Sequence, residues 1–261
     1  MTIPVFFIHT HTPSYLIKTI QQADNIGNTV EGMIGNALAE RKYEIDDVYQ
    51  HMSFGNRGYE LFCIKRWFIL RDECNARKID KLFYCDSDVM LYTNISKYED
   101  RFGKTLHLMK PEFASDTNPV ASGHCSFWTR ELLNGFCWFA VKCYQDEGLL
   151  KKLQEHWDRR KKLNGGVVDM TLLYLFSEQV ECKSLLIPFV DDLSKNLDCS
   201  TFDDNIGVGD NYQRNEYSTV GDKKQIVWKN NIPHGLNAKH DGVLVKFNSI
   251  HYCGDAKRYI E

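Results

Sequence analysis

Long apolar runs, proline and charge of one sign are scarce in this sequence. No apolar stretch approaches the roughly 18 residues that a membrane-spanning helix needs. Only six prolines fall in 261 residues, and no low-complexity tract, internal repeat or interdomain linker is visible. The formal net charge is -3, so no overall field attracts nucleic acid, and none is expected as a partner. None of the nine cysteines forms a CxxC pair. Their odd number and the apolar runs around Cys63, Cys85, Cys137 and Cys143 point to free buried thiols, not to disulfides or a zinc site. A reducing compartment, and hence a cytoplasmic location, is the expectation. Residues 3–8 are too short for the apolar core of a signal peptide, and no basic segment precedes them. The sequon Asn94-Ile95-Ser96 is then expected to be accidental, since glycosylation requires secretion.

What is present fits an ordinary globular chain. Apolar residues make up 43% and charged residues 26%, which is enough to bury a core in one large α/β domain or two small ones. Aromatic residues, at 13%, are slightly abundant. They accompany sugar binding in some proteins, but core packing is the commoner use.

Residues 3–8 read as a buried first strand, followed by the polar loop His9-Thr10-His11. Pro13 and Ser14 suit the start of a helix over 15–23. A second strand is placed at 29–34, and an amphipathic helix at 59–76 with Asn75 near its end. Residues 81–85 form a continuous apolar run, as expected of a central parallel strand covered on both faces. Asp86-Ser87-Asp88 follows at once, and apolar character resumes at Val89. Further strands are expected at 105–109, 123–127, 184–189 and 243–247. Helices are expected at 130–146, 149–163 and 169–177. Residues 191–240 read as rich in loops. The alternating charges of 151–162 read as a solvated face, with attachment to an anionic membrane surface as the alternative.

Two acids inside an apolar run need an explanation, because buried unpaired carboxylates are costly. On a straight strand, residues i and i+2 share a face with each other only while the strand continues; at its carboxyl end the chain turns, and both acids can converge on one ion. The crevice beyond the carboxyl ends of parallel strands is where α/β proteins bind ligands. A hard cation such as Mg2+ or Mn2+ takes carboxylate and phosphate oxygens, and an added imidazole favours Mn2+. A solvated turn with two capping acids is the simpler alternative.

The segment "LFYCDSDVML" resembles the DxD segment of the GT-A fold glycosyltransferases. The C-terminal "HYCGDAK" resembles the HxxGxxK signature of the family 8 retaining enzymes, which use UDP-glucose or UDP-galactose. This resemblance implies a single GT-A (Rossmann-like) domain with a mixed, mostly parallel sheet flanked by helices. Residues 1–110 would form the nucleotide-binding half, and 111–261 the acceptor half with the C-terminal motif. It implies metal ligation of Mn2+ (or Mg2+) by Asp86, Asp88 and His251. Gly254 would let the backbone approach the phosphates, and Lys257 would neutralise them. After Lys257 the family's usual Pro-Trp is replaced by Arg258-Tyr259. Donor contacts are also implied for His9, Thr10, His11, Ser87 and a basic residue of the preceding helix, Lys65 or Arg66. Asp169 and His124, the latter within Ser122-Gly123-His124, are implied near the sugar or acceptor as catalytic candidates. Each has a simpler reading: loop histidines, a solvated helix face, a helix N-cap, a semi-buried histidine.

The implied reaction moves a hexose from a nucleotide-sugar donor to a saccharide or glycolipid acceptor with retention, as in polysaccharide biosynthesis. No residue reads as a covalent nucleophile, so front-face attack is the expected route. A DxD-dependent phosphatase or phosphotransferase would place a nucleophilic Asp after the first strand, where His9-Thr10-His11 stands. A nucleotidyltransferase would want a glycine-rich basic loop there. A non-catalytic nucleotide-sugar-binding protein is the third alternative.

Overall fold

The computed structural model describes residues 2–187, 200–207, 213, 216–238 and 242–260. Together they form one mixed α/β domain whose main sheet has six strands in the order β2-β1-β3-β6-β5-β7. These are β1 (Val5–His9), β2 (Val30–Ile34), β3 (Lys81–Cys85), β5 (Leu106–Met109), β6 (Ser122–Thr129) and β7 (Cys182–Ser184). Five strands run in one sense and β6 runs against its neighbours β3 and β5. The expected mixed, mostly parallel sheet flanked by helices is present. Its centre, β3, is apolar because both its faces are covered: Phe83 and Cys85 pack on one side, Leu82 and Tyr84 on the other.

One face carries α4 (Arg57–Arg77), α6 (Arg130–Gln145) and α8 (Asp169–Ser177), with α2 (Ala37–Glu40), α3 (Glu44–Val48) and α7 (Glu147–Arg160) beyond them. The opposite face is covered by α1 (Ser14–Asn25) and α5 (Glu99–Phe102). The largest fully buried side chains are aromatic, so aromatic abundance is largely core packing. Helix α4 starts at an Asn56 side chain that accepts from the Gly58 and Tyr59 amides. It runs past Asn75 and ends where Lys78 turns left-handed, at φ 56°. Its middle is buried on most sides, so the two-faced pattern expected of an amphipathic helix is weak there.

The segments around the catalytic candidates depart most from expectation. Val89–Leu91 (β4) does not continue the main sheet. It joins a second sheet in the order β11-β12-β13-β4, formed by β11 (Ile226–Lys229), β12 (Ile232–Asn237) and β13 (Val243–His251), with β8 (Ser200–Phe202) beside β13. A two-stranded ribbon of β9 (Thr219–Val220) and β10 (Lys223–Lys224) lies in the same part of the chain. The described part of 191–240 is therefore largely strand. Its short strands, broken by Asn, Asp and Gly, gave no long period-2 signal. Asp191 and Asp192 lie outside the described residues. The strand expected at 184–189 instead ends at Ser184, where Leu185 turns to bond Leu108 and Phe202.

Candidate active site

The turn at Asp86–Asp88 links the two sheets, and β-register then decides which residues meet. The Asp86 amide still bonds the His124 carbonyl of β6, and Val89 N–H closes the turn on the Asp86 carbonyl at 3.1 Å. Beyond the turn, Val89 pairs with His251, Met90 with Ile250 and Leu91 with Ser249. Tyr252 N–H bonds the Asp88 carbonyl at 2.9 Å. Two motifs far apart in sequence thus become adjacent strand ends.

Asp88 sits at the centre of the first cluster. One carboxylate oxygen lies 3.4 Å from His251 Nε2, and the other accepts from Lys257 Nζ at 2.7 Å. Burial opposes the Asp88 charge, but His251 and Lys257 hold the carboxyl well below the ordinary carboxylate range. Burial likewise works against a charged His251, and Asp88 outweighs it, pushing the imidazole up to about 10. His251 Nδ1 donates to the Asp204 carbonyl at 2.5 Å, which leaves Nε2 to face Asp88. His124 stacks on this ring at 4.1 Å between centroids. Burial and the adjacent His251 keep His124 neutral. Its Nδ1 pairs with Ser122 Oγ at 2.8 Å. Lys257 belongs to the 3-10 segment Gly254–Tyr259, which begins at Gly254 with φ +60°.

Asp86 belongs to a second cluster. Its Oδ1 accepts from Arg66 at 2.6 Å and from Tyr84 Oη at 2.7 Å. The other arm of the Arg66 guanidinium reaches Asp169 Oδ2 at 2.5 Å. Burial opposes the Arg66 charge, but Asp86, Tyr84 and Asp169 hold it firmly. Arg66 Nε is buried without a hydrogen-bond partner. Asp86 is thus held by Arg66, and Asp88 by His251 and Lys257. Among the described residues, no three His, Cys, Asp or Glu side chains are gathered to hold a metal ion as they stand. Asp88 and His251 place a carboxylate oxygen and a ring nitrogen 3.4 Å apart, a donor pair that suits a hard divalent cation once the imidazole releases its Nε2 proton.

Both clusters border a cavity of about 750 Å3 at the carboxyl ends of β1 and β3. His9, Thr10, His11, Tyr15, Tyr59, Arg66, Asp86, Ser87, Asp88 and Lys257 line it, and an apolar wall is added by Ile8, Leu61 and Phe62. His9 and His11 meet edge to face at 4.3 Å. Burial, and then the His11 charge, lower the His9 pKa. Lys65 touches the cavity wall, but its ammonium is engaged by Asp46 and the Ala39 carbonyl, both at 3.0 Å. Successive helix residues point about 100° apart, so its neighbour Arg66 is the one that reaches the DxD turn. Ser87 contributes its carbonyl to Thr19 Oγ1 at 2.9 Å.

No family model matches the sequence. No curated protein matches it either. Among solved structures, one similar chain is a glycosyltransferase involved in glycosylation of the major capsid of PBCV-1, at 10% identity and TM-score 0.38, covering 69% of this chain and 80% of that one. Another is mouse xyloside xylosyltransferase 1, at 9% identity and TM-score 0.45, covering 70% and 85%. A third, a protein of STIV, has 11% identity and TM-score 0.37 over 95% of both chains. Likenesses this low carry no weight beside the geometry of the site.

Three residues of the site escaped the sequence: Tyr84, Asp203 and Asp204. Tyr84 shares a strand face with Asp86 two residues on, so period 2 could have revealed it. Arg66 was one of two helix candidates, and only the helix phase separates it from Lys65. Asp203 and Asp204, which hold His251, lay in a segment read as loop. Three carboxylates, two fixed cations and an imidazole beside the cavity balance one another's charge, so the set can offset charge developing on a polyanion only when a further cation joins it.

Proposed function

We propose that this chain is a metal-dependent glycosyltransferase of GT-A type. It moves a hexose, from UDP-glucose or UDP-galactose, to a hydroxyl of a saccharide or glycolipid with retention. The observation that carries this reading is the register of β4 on β13, which brings Asp88, His251 and Lys257 together at the mouth of a nucleotide-sized cavity. Asp88 and His251 would hold Mn2+ or Mg2+, with Asp86 as the third ligand once its carboxylate is shared with Arg66. A divalent ion held there neutralises charge on a departing diphosphate.

The chain's own groups supply the rest. Lys257 and Arg66 present fixed positive charge to the diphosphate in a partly dry site. All lining residues other than Lys257 lie between 8 and 88, which supports assigning the donor to the first half of the chain. His9 and His11 offer ring faces and nitrogens to the nucleobase end. His124 is buried behind His251 and stays neutral, so its part is to back the imidazole and not to carry a proton. Asp169 is occupied by Arg66 and orients it, which leaves no free carboxylate, among the described residues of the site, to serve as covalent nucleophile. Front-face attack, with the departing phosphate oxygen taking the acceptor proton, follows from that lack.

A thermal-shift series with UDP, GDP and their hexoses, each with and without Mn2+, tests the reading. Stabilisation follows mass action: about 2.7 kcal/mol at one hundred times Kd, or roughly 5–10 °C in a chain of this size. A rise only with a uridine nucleotide plus metal is expected. No response to any nucleotide with metal overturns the proposal. Product configuration by NMR tests retention separately, and an inverted anomer removes that part of it.

A further inference from the structure

Behind His251 lies a charged pair with almost no access to water. Lys224 Nζ bonds Asp203 Oδ1, and both side chains are 1% exposed. Lys224 also donates to Gln213 Oε1 at 2.8 Å and lies over the rings of Tyr217 and Phe247 at 5.1 and 5.6 Å. A buried ion pair is a poor device for stability, because desolvation offsets most of its attraction. Its position explains it better. The second Asp203 oxygen accepts the His251 backbone N–H at 3.2 Å. The carbonyl of the next residue, Asp204, accepts the His251 ring Nδ1–H. Ile206 N–H bonds the His251 carbonyl at 2.9 Å, and Lys224 N–H bonds the Ile206 carbonyl at 2.8 Å. One short stretch, Asp203 to Ile206, therefore grips His251 at its amide, its carbonyl and its ring, and Lys224 ties that stretch at two points.

We propose that Lys224 and Asp203 are positioning residues for His251: their buried pair fixes the turn whose Asp204 carbonyl orients the imidazole, so that Nε2 faces Asp88. A ring held only by its own torsions would sample several orientations. Gripped through Nδ1, it presents one nitrogen, the arrangement by which outer partners commonly orient a metal-facing histidine. The inference rests on the proposed metal-dependent reading for its functional meaning, but its structural half can be tested without that reading.

The full-length chain, labelled with 15N-histidine, gives the test, with His251→Gln identifying the ring signals. The wild-type chain is expected to show a His251 Nδ1–H resonance protected from exchange by Asp204. Lys224→Met alone leaves a buried carboxylate unpaired and can unfold the chain. The informative variants are Asp203→Leu with Lys224→Met, which fills the same space without charge, and Asp203→Asn with Lys224→Gln, which keeps shape and removes both charges. Both are expected to fold, to lose or broaden the ring resonance, and to bind Mn2+ about tenfold more weakly by the free-ion electron paramagnetic resonance signal. A variant that melts cooperatively yet keeps both the resonance and wild-type Mn2+ affinity overturns the proposal. If the wild-type chain binds neither Mn2+ nor UDP, the glycosyltransferase reading fails, while the ring resonance still reports on the pair.

Discussion

At the scale of single residues, the site depends on a cation that serves two carboxylates. Arg66 bridges Asp86 and Asp169 with the two arms of one planar guanidinium. Arg66→Met leaves two largely buried acids without a counter-charge and is expected to destabilise the chain by about 3 kcal/mol. Arg66→Lys is expected to recover only part, since an ammonium is a point charge and cannot bridge both acids in the same way. Urea unfolding of the three proteins measures this; equal stability of Arg66→Met and wild type would contradict the bridge. Gly254 is the second residue where one atom matters. Its φ of +60° disfavours any side chain, although a Cβ there would meet no neighbour within 4 Å. Gly254→Ala should therefore cost only backbone strain, roughly 1–2 kcal/mol, and Gly254→Asn less. A cost well above that in the unligated protein would mean that the conformation has been misjudged.

At the scale of elements, packing distances between α4 and β6 set the platform under the DxD turn. Gly123 lies beneath Trp67, whose ring would be 2.4 Å from an added Cβ. Trp67 in turn packs on Tyr84 and Trp128 at 5.0 and 5.1 Å. Gly123→Ala must push this aromatic cluster aside, which is expected to cost about 1–3 kcal/mol and to disturb Tyr84 beside Asp86. Chemical denaturation and near-ultraviolet circular dichroism would show it together. Strand β5 carries a titratable core residue. His107 is 1% exposed, its Nδ1–H donates to the Thr105 carbonyl, and burial pushes its pKa down to about 4. The unfolded chain takes up a proton near the ordinary value of about 6.5, and the folded chain does not until about 4. Between those values the unfolded state holds more protons, so stability is full above about 6.5 and falls as pH drops toward 4. The contribution is about 3 kcal/mol. His107→Gln should flatten that part of the stability-versus-pH curve, and an unchanged slope in urea melts from pH 7 to 4 would refute the assignment.

At the scale of the whole molecule, the two sheets are expected to fold as one unit, because the chain leaves the main sheet after β3, returns to it at β5 and leaves it again after β7. The buried cluster of the second sheet, around Phe247, Ile250 and Tyr217, is small, and β4 reaches it directly from β3. Calorimetry is expected to show one cooperative transition; two separated transitions would mean that the sheets unfold independently. Some features were legible in the sequence. The β3 run and helix α8 coincide with their expected bounds, because continuous apolar character and an acidic first turn are local signals. Asp86, Asp88, His251, Gly254 and Lys257 could be named from two short motifs. The sequence alone could not say that Asp86 would pair with Arg66, and Asp88 with His251 and Lys257, since strand pairing and helix phase decide which cation is nearest. Nor could it show that Asp203 and Lys224 lie behind His251: Asp203 is 48 residues away along the chain and Lys224 is 27. The residue types, the apolar periods and the turn at the end of β3 were determined by the sequence itself, because each rests on neighbours a few positions apart. The pairing of the charges in the site was decided by tertiary structure, because electrostatic partners are set by distance in space, and the register of β4 on β13 fixes that distance for Asp88, His251 and Lys257.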